Sequence, residues 1–188
     1  MKAIVYSGYG SADAVRLEDV DRPAVNDDEV LVRVRAASVN PYDWHWLTGL
    51  PYVSRLQYGL RKPKNDRLGA DLAGVVEAVG PEVTRFRPGD EVFGEVNGET
   101  PGHPMLELGS FADYVSVSES WLALKPTGMT FEEAAAVPLA AITAWQGFHH
   151  IGPLQPGQGV LIKGASGGVG TYAVQIAKAL GATVTGVC

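Results

Sequence analysis

Polar and apolar positions alternate with a period of two through much of residues 1–125, and a helical period takes over beyond them. The clearest alternation lies in residues 29–39. Val30, Val32 and Val34 are interleaved with Leu31, Arg33 and Arg35, so the valines are expected to face a core, with both arginines on the other side. Residues 2–7 and 15–20 read as short strands around a Gly-rich turn, and residues 72–79 as an apolar strand between Gly69 and Gly80. Pro88-Gly89-Asp90 reads as a turn leading to a short strand at 91–93. Residues 97–108 read as a loop, 111–117 as another alternating strand, and 122–124 as a short strand before Pro126. Many short strands punctuated by Gly and Pro predict a compact β-barrel-like domain.

The pattern changes near Thr130. Thr130 followed by Glu133 is a capping box, and it starts a helix over 131–137 that Pro138 interrupts. A second helical run, 139–149, carries Ile142, Trp145 and Phe148. The domain boundary is expected between residues 120 and 130, giving domains 1–125 and 126–188.

Near the end of the chain an apolar strand at 160–162 stops at Gly164-Ala165-Ser166-Gly167-Gly168-Val169-Gly170. A helix with the apolar stripe Ala173, Ile176, Ala177 and Leu180 follows, then Gly181 and a second strand at 182–187. Strand, glycine loop, helix and strand is the setting in which a glycine motif binds a dinucleotide. The fingerprint has Ala165 in its first position, Gly167 in its second and Gly170 in its third. Gly167 is expected to let a pyrophosphate approach the backbone, and Gly170 to let the helix pack closely. Amides at the helix start, with the positive end of the helix dipole, would hold the phosphates. A doubly wound domain needs several more parallel strands than these two, so the chain reads as the N-terminal portion of a longer protein and is expected to be inactive alone.

Composition narrows the function. Apolar and charged residues make up 46% and 19% of the 188 residues, as in soluble globular proteins. The net charge of −6 argues against nucleic acid as a partner. Arg33 with Arg35, and Arg61-Lys62-Pro63-Lys64, read as solvated groups. The single cysteine excludes an internal disulfide and a Cys-rich zinc site, and it fits a reducing cytoplasm. The N-terminal stretch lacks the apolar core of a signal peptide, and no apolar run would cross a bilayer.

The segments ASVNPYDW (37–44), LGADLAGVVEAVG (68–80), RPGDEVFG (87–94), GSFADYVSV (109–117), EEAAAVPLAAITAW (132–145) and VLIKGASGGVGTYAVQIAKALGA (160–182) occur in this order. Together they resemble the medium-chain dehydrogenase/reductase superfamily, in its zinc-independent, zeta-crystallin-like quinone oxidoreductase branch. The resemblance implies a mixed α/β and β chain: a GroES-like domain, then the first βαβ unit of a Rossmann domain. It also implies a homodimer for the full-length parent. Zinc alcohol dehydrogenases carry a cysteine ligand at the position of Asn40, and Gly-His-Glu where this chain has Gly69-Ala70-Asp71. No set of three zinc ligands survives there, so no metal is expected.

The same resemblance places Asn40 beside the nicotinamide, where its amide is expected to donate to a substrate carbonyl oxygen. On local grounds Asn40-Pro41-Tyr42-Asp43 also reads as a turn that Asn40 caps. His45 aligns with a tyrosine of related enzymes and is a candidate proton donor; an exposed structural histidine is the other reading. Tyr52 is a weaker candidate of the same type. Trp44 and Trp46 would wall a pocket or belong to the core. Thr143 resembles a threonine near the nicotinamide, or bonds its own helix. His149-His150 reads as a helix-end charge complement.

An NAD enzyme usually has Asp or Glu at the end of the second strand, and here that position is Cys188. The missing carboxylate removes repulsion against a 2′-phosphate. By resemblance, Ala165 is common among NADP-preferring relatives, and Lys178 matches a lysine that approaches the 2′-phosphate; a solvated helix lysine is the other reading of Lys178. The expected activity is therefore NADPH-dependent hydride transfer to a quinone or an α,β-unsaturated carbonyl. The alternatives are an enoyl-thioester or carbonyl reductase of the same superfamily, and a non-catalytic NADPH sensor.

Overall fold

The computed structural model describes residues 1–96 and 109–188; the loop expected at 97–108 lies outside the described residues. Two antiparallel strands, β1 (Lys2–Tyr6) and β2 (Val15–Asp19), pair from Lys2↔Asp19 to Tyr6↔Val15. Five more form an antiparallel sheet: β3 (Glu29–Ser38), β4 (Asp71–Val79), β5 (Glu91–Glu95), β6 (Tyr114–Ser118) and β7 (Leu122–Leu124), in the order β6-β3-β4-β5-β7. Bridges at Ala3↔Ala112 and Val5↔Arg67 tie β1 to the segments that flank this sheet. The core is Val30, Val32, Leu72, Val76, Phe86, Val92, Val96, Val117 and Leu122.

The alternation expected in β3 holds for Val30 and Val32, which are fully buried, and for Arg33 and Arg35, which are exposed. Leu31, expected opposite the valines, is buried too. The β3/β4 register shifts between Leu31 and Val32 and again between Val34 and Ala36, and such irregularities break the period of two.

Residues 40–43 begin a helix rather than a bare turn. Helix α1 (Pro41–Thr48) has Pro41 in its first turn, Asp43 three residues after Asn40, and Gly49 as a left-handed stop with φ +63°. Trp46 on α1 is fully buried and stacks on Tyr58 of the one-turn helix α2 (Arg55–Tyr58), ring centroids 3.8 Å apart. Trp46 is thus a core residue, while Trp44 is exposed.

Helix α3 (Phe131–Ala135) has the expected capping box: Thr130 Oγ1 accepts from Glu133 N, and Thr130 N donates to Glu133 Oε2. Its Ala134 and Ala135 are buried against Ala73 of β4. This small-residue contact holds α3 with the strands, so the first compact unit runs Met1–Ala136, past the boundary expected near 125.

The second unit is Val137–Cys188. Helix α4 (Pro138–Gln146) ends in a π-helical turn, Gly147–Ile151, where one regular helix was expected. Strand β8 (Gly159–Lys163), helix α5 (Gly168–Ala179) and strand β9 (Thr183–Val187) form a βαβ unit with β8 and β9 parallel, from Gly159↔Thr183 to Lys163↔Val187. Ala144, Ile162, Ala173 and Ala177 form its core, with Ile176 packed against them as the helical spacing predicts. Gly181 stops α5 with φ +81°.

Candidate functional site

The glycine loop is built by β8, β9 and the start of α5. Gly164 turns the chain with φ +74°, and the amides of Gly164 and Ala165 donate to the Val187 carbonyl at 2.7 and 3.0 Å. The loop is therefore pinned to the end of β9, one residue before Cys188. Gly167 N donates to Gly164 O at 3.0 Å, and α5 begins at Gly168.

The three glycines that follow serve different ends. A Cβ on Gly170 would lie 2.0 Å from the Gly164 carbonyl oxygen and 2.9 Å from Ala165 Cα, so the protein's own packing requires glycine there. The close approach is to the loop itself, where the fingerprint predicts helix-to-strand packing. A Cβ on Gly167 would sit 3.3 Å from Gly164 O. A Cβ on Gly168 would meet nothing within 4 Å. Glycine at 168 thus leaves open space at a helix start that carries no acidic residue in its first turn. Unpaired first-turn amides and the dipole's positive end suit an anionic group there. Ser166 and Val169 are exposed beside it. These residues fit the pyrophosphate of a dinucleotide.

Cys188 is exposed at the β9 end, close to this loop. Lys178 is not. It lies in the last turn of α5, ten residues from Gly168, which at the helical rise is about 15 Å along the axis. The structure thus separates Lys178 from Cys188 and the loop, against the expectation that both border one phosphate pocket. Thr143 is exposed on α4 and donates to Leu139 O at 2.7 Å, the helix self-bonding weighed above. His149 Nδ1 bonds Trp145 O within its own turn.

The second constellation forms where β3 ends, α1 begins and β4 starts. Ser38 and Asp71 are cross-strand partners at the end of the β3/β4 ladder. Asp71 is fully buried, and its Oδ2 accepts from Ser38 Oγ at 2.9 Å and from Asn40 Nδ2 at 2.9 Å. Asn40 Nδ2 also donates to Ser38 Oγ at 3.1 Å. Asp43, also buried, binds two backbone amides: Asn40 N to Oδ2 at 2.7 Å and Gly69 N to Oδ1 at 3.0 Å. Burial pushes the Asp43 carboxyl up from its ordinary value; the amides of Asn40 and Gly69 pull it down, and nearby Asp71 adds to the rise. Gly69, with φ +100°, has no room for a side chain, since a Cβ would lie 2.3 Å from Ser110 Oγ.

His45, exposed on α1, has its Nδ1 2.8 Å from the Leu50 carbonyl. A carbonyl only accepts, so Nδ1 carries a hydrogen. In neutral imidazole Nε2 is then an acceptor, and it donates only in the imidazolium. Tyr52 is exposed, its ring 4.9 Å from the Arg55 guanidinium carbon. An open cleft of about 920 Å³ in the first unit is lined by Tyr6, Lys62 and Asp66 among others, but not by Asn40, His45 or Tyr52.

The residues missed by sequence reasoning are Ser38, Asp43 and Asp71. Two signals were present: Asn40-x-x-Asp43 has capping-box spacing, and Asp71 is a lone carboxylate in an apolar run.

An antiparallel unit of this kind followed by a glycine-loop βαβ unit is the layout of the medium-chain dehydrogenase/reductases. A family model for the alcohol dehydrogenase GroES-like domain matches residues 26–127. One relative, 2-methylene-furan-3-one reductase of Solanum lycopersicum, is 38% identical over 183 residues, covering 95% of this chain and 44% of that protein. The chloroplastic NADPH-dependent alkenal/one oxidoreductase of Arabidopsis thaliana is 37% identical over the same shares. The quinone oxidoreductase structure from Coxiella burnetii superposes with a TM-score of 0.85 at 32% identity, covering all of this chain and 56% of that one. The chain belongs to the alcohol dehydrogenase GroES-like family, in the quinone oxidoreductase branch of the medium-chain dehydrogenase/reductase superfamily. It spans about half the length of the curated relatives it matches.

Proposed function

We propose that this chain supplies the GroES-like half and the nucleotide loop of a zinc-independent, NADPH-dependent oxidoreductase acting on quinones or α,β-unsaturated carbonyls. The observation that carries the reading is the glycine loop, where Gly170 is required by the fold and Gly168 leaves open space at the α5 N-terminus. Names of relatives point the same way, to an NADPH-dependent alkenal/one oxidoreductase and a quinone oxidoreductase. The amides of Ser166, Gly168 and Val169 hold the pyrophosphate beside Gly167, whose own amide stays on Gly164 O, and Ala165 and Cys188 border the ribose end without a carboxylate to repel a 2′-phosphate. Bound NADPH supplies a hydride for an electrophilic carbon. Asn40 meets the ligand, His45 or Tyr52 provides a proton, and orientation supplies much of the rate.

The zinc-independent reading rests on ligand chemistry. Asn40 turns its amide hydrogens to Asp71 and Ser38, and position 70 offers a buried methyl where imidazole would be needed. Among the described residues no group of three His, Cys, Asp or Glu side chains is placed to hold a metal, and no helix is long and apolar enough to cross a membrane. The reading takes the full-length protein as a cytoplasmic homodimer with a small-molecule substrate.

Steady-state NADPH oxidation by the full-length protein against a quinone, an enone and an enoyl-CoA tests it. Turnover is expected with the quinone or the enone. Turnover with the enoyl-CoA alone makes it an enoyl-thioester reductase, and tight NADPH binding without oxidation by any electrophile makes it a sensor.

A further inference from the structure

Arg55 joins three segments of the first unit. It begins α2, and its backbone amide donates to the Tyr52 and Val53 carbonyls of the preceding turn, Tyr52–Ser54. Its half-buried side chain reaches back to the end of α1, where Nε donates to Gly49 O and Nη2 to Thr48 O, both at 3.0 Å. The planar guanidinium fork suits two neighbouring acceptors, and a cation at a helix C-terminus also complements its dipole. Other carbonyls of α1 have their own donors: Gly49 N bonds His45 O, and Gly10 N bonds Leu47 O. The guanidinium carbon lies 4.3 Å from the centre of the Tyr9 ring and 4.9 Å from that of Tyr52, both within cation–π range. The packing beside it is tight: a Cβ on Gly49 would lie 2.6 Å from Arg55 Nε and 2.6 Å from Tyr9 Cδ1. The Tyr9 hydroxyl donates to Gly59 O at 2.6 Å, and the Tyr6 hydroxyl to Trp46 O at 3.5 Å. Tyr52 differs from both, for its ring is exposed and its hydroxyl has no hydrogen-bond partner among the described residues.

We propose that Arg55 is a positioning residue for Tyr52: it ties the turn that carries this tyrosine to the end of α1 and holds the ring, so that the exposed hydroxyl gives up its proton from one fixed place. The inference rests on the functional reading above, with Tyr52 as the donor in it. In that reading the electrophile gains a hydride, and the enolate or hydroquinone anion so formed takes the proton of the Tyr52 hydroxyl, which water restores. Arg55 acts only through Tyr52, since its own hydrogen bonds run to carbonyls of the first unit. Lysine is a poor substitute, because an ammonium lacks the planar fork that spans two carbonyls. Without this hold the exposed ring samples several rotamers, and a donor out of place transfers its proton more slowly.

The test is a double-mutant cycle in the full-length protein, read by steady-state NADPH oxidation against the quinone and the enone. Arg55→Met is expected to lower kcat about tenfold, the worth of one hydrogen bond from a charged group. It is expected to leave KM for NADPH nearly unchanged and to raise the solvent deuterium isotope effect on kcat. In a Tyr52→Phe background, which lacks the hydroxyl, the same substitution is expected to change kcat less than about twofold. A merely structural Arg55 would lower kcat by one factor in both backgrounds with the isotope effect unmoved, and that result would overturn the proposal. If Arg55→Met does not fold, Arg55→Lys carries the same cycle. It keeps the charge and loses one of the two carbonyl bonds, so the expected loss in kcat is about fivefold, again only where Tyr52 is present. Full activity of Arg55→Lys would count against the fork. In the ligand-free protein a nuclear Overhauser contact is expected between the Arg55 δ-methylene and the Tyr52 ring, and its absence would show that the ring is not held. If Tyr52→Phe leaves kcat unchanged, the inference falls while the functional reading stands through His45. If neither electrophile is turned over by the wild type, both fall.

Discussion

Gly168 and Gly170 lie two residues apart at the start of α5 and answer to different constraints, so replacing each by alanine separates packing from ligand binding. In Gly170→Ala the new methyl would lie 2.0 Å from the Gly164 oxygen and 2.9 Å from Ala165 Cα. Both obstacles are backbone, so no side-chain rotation relieves them. Alanine in a helix gains about 0.5–1 kcal/mol over glycine. Forced overpacking costs about 1–3 kcal/mol, and with two backbone atoms in the way the upper half of that range applies. The net expectation is a loss of about 1–2 kcal/mol. In Gly168→Ala no atom lies within 4 Å of the methyl, so only the propensity gain remains. For a chain of this size about 1 kcal/mol moves Tm by roughly 2–4 °C. Gly170→Ala should therefore lower Tm by about 2–8 °C, and Gly168→Ala should raise it slightly. NADPH affinity should fall in both, by about tenfold or more in Gly168→Ala, where the methyl enters the space assigned to the pyrophosphate. Calorimetry and a fluorescence titration with NADPH measure the two effects. A Gly170→Ala protein as stable as the wild type would refute the packing argument. A Gly168→Ala protein that binds NADPH as the wild type does would refute the placement of the phosphates.

Three other expectations follow from single residues. Cys188→Asp in the full-length protein should weaken NADPH binding and leave NADH binding almost unchanged, measured by paired titrations; equal loss for both would remove Cys188 from the 2′-phosphate argument. Gly69→Ala, which combines φ +100° with a methyl 2.3 Å from Ser110 Oγ, should cost about 3 kcal/mol or more in urea unfolding. The Asp43 carboxyl, followed by ¹³C NMR, should titrate above the ordinary 3.8, because burial raises it. Between the two values the native state binds more protons than the unfolded chain. The Asp43 contribution to stability is thus greatest below 3.8, is lost as pH rises through the raised native value, and is level above it.

Patterns that depend on local sequence were legible. Strands β3 and β4 and the glycine-loop βαβ unit lie where alternation, helical spacing and glycine punctuation place them. Helix α1 is ambiguous in the sequence because Asn40-Pro41 is as good a turn signal as the Asn40-to-Asp43 spacing is a helix start. The boundary near 125 missed α3 because Ala134 and Ala135 carry no pattern that names their partner; contact with Ala73 decides it. Lys178 was assigned to the phosphate end by alignment, and the length of α5 alone removes it. Asn40 stands out in the sequence, whereas its hydrogen-bond partners Ser38 and Asp71 do not. That pairing is a matter of β-sheet register, which no local window contains.

The burial of Asp71 explains the hydrogen bonds that Ser38 and Asn40 give it. Zinc alcohol dehydrogenases place metal ligands at the positions of Asn40 and Ala70, and their site has a divalent charge beside the acidic residue that follows. Here the acidic residue remains, fully buried, while the positions that would hold the metal carry an amide and a methyl. A buried carboxylate needs donors, because a charge removed from water must be hydrogen-bonded or neutralised. Ser38 and Asn40 provide them at 2.9 Å each. The reaction also needs a proton donor, and the chain offers two candidates of different kinds. The Tyr52 hydroxyl is a neutral donor, whereas His45, with Nδ1 tied to the Leu50 carbonyl, donates from Nε2 only as imidazolium. Tyr52→Phe and His45→Gln therefore distinguish the two. If His45 is the donor, His45→Gln depresses kcat and Tyr52→Phe leaves it nearly unchanged. If Tyr52 is the donor, Tyr52→Phe depresses kcat at every pH. A profile and kcat unchanged in both variants would show that neither side chain meets the oxyanion.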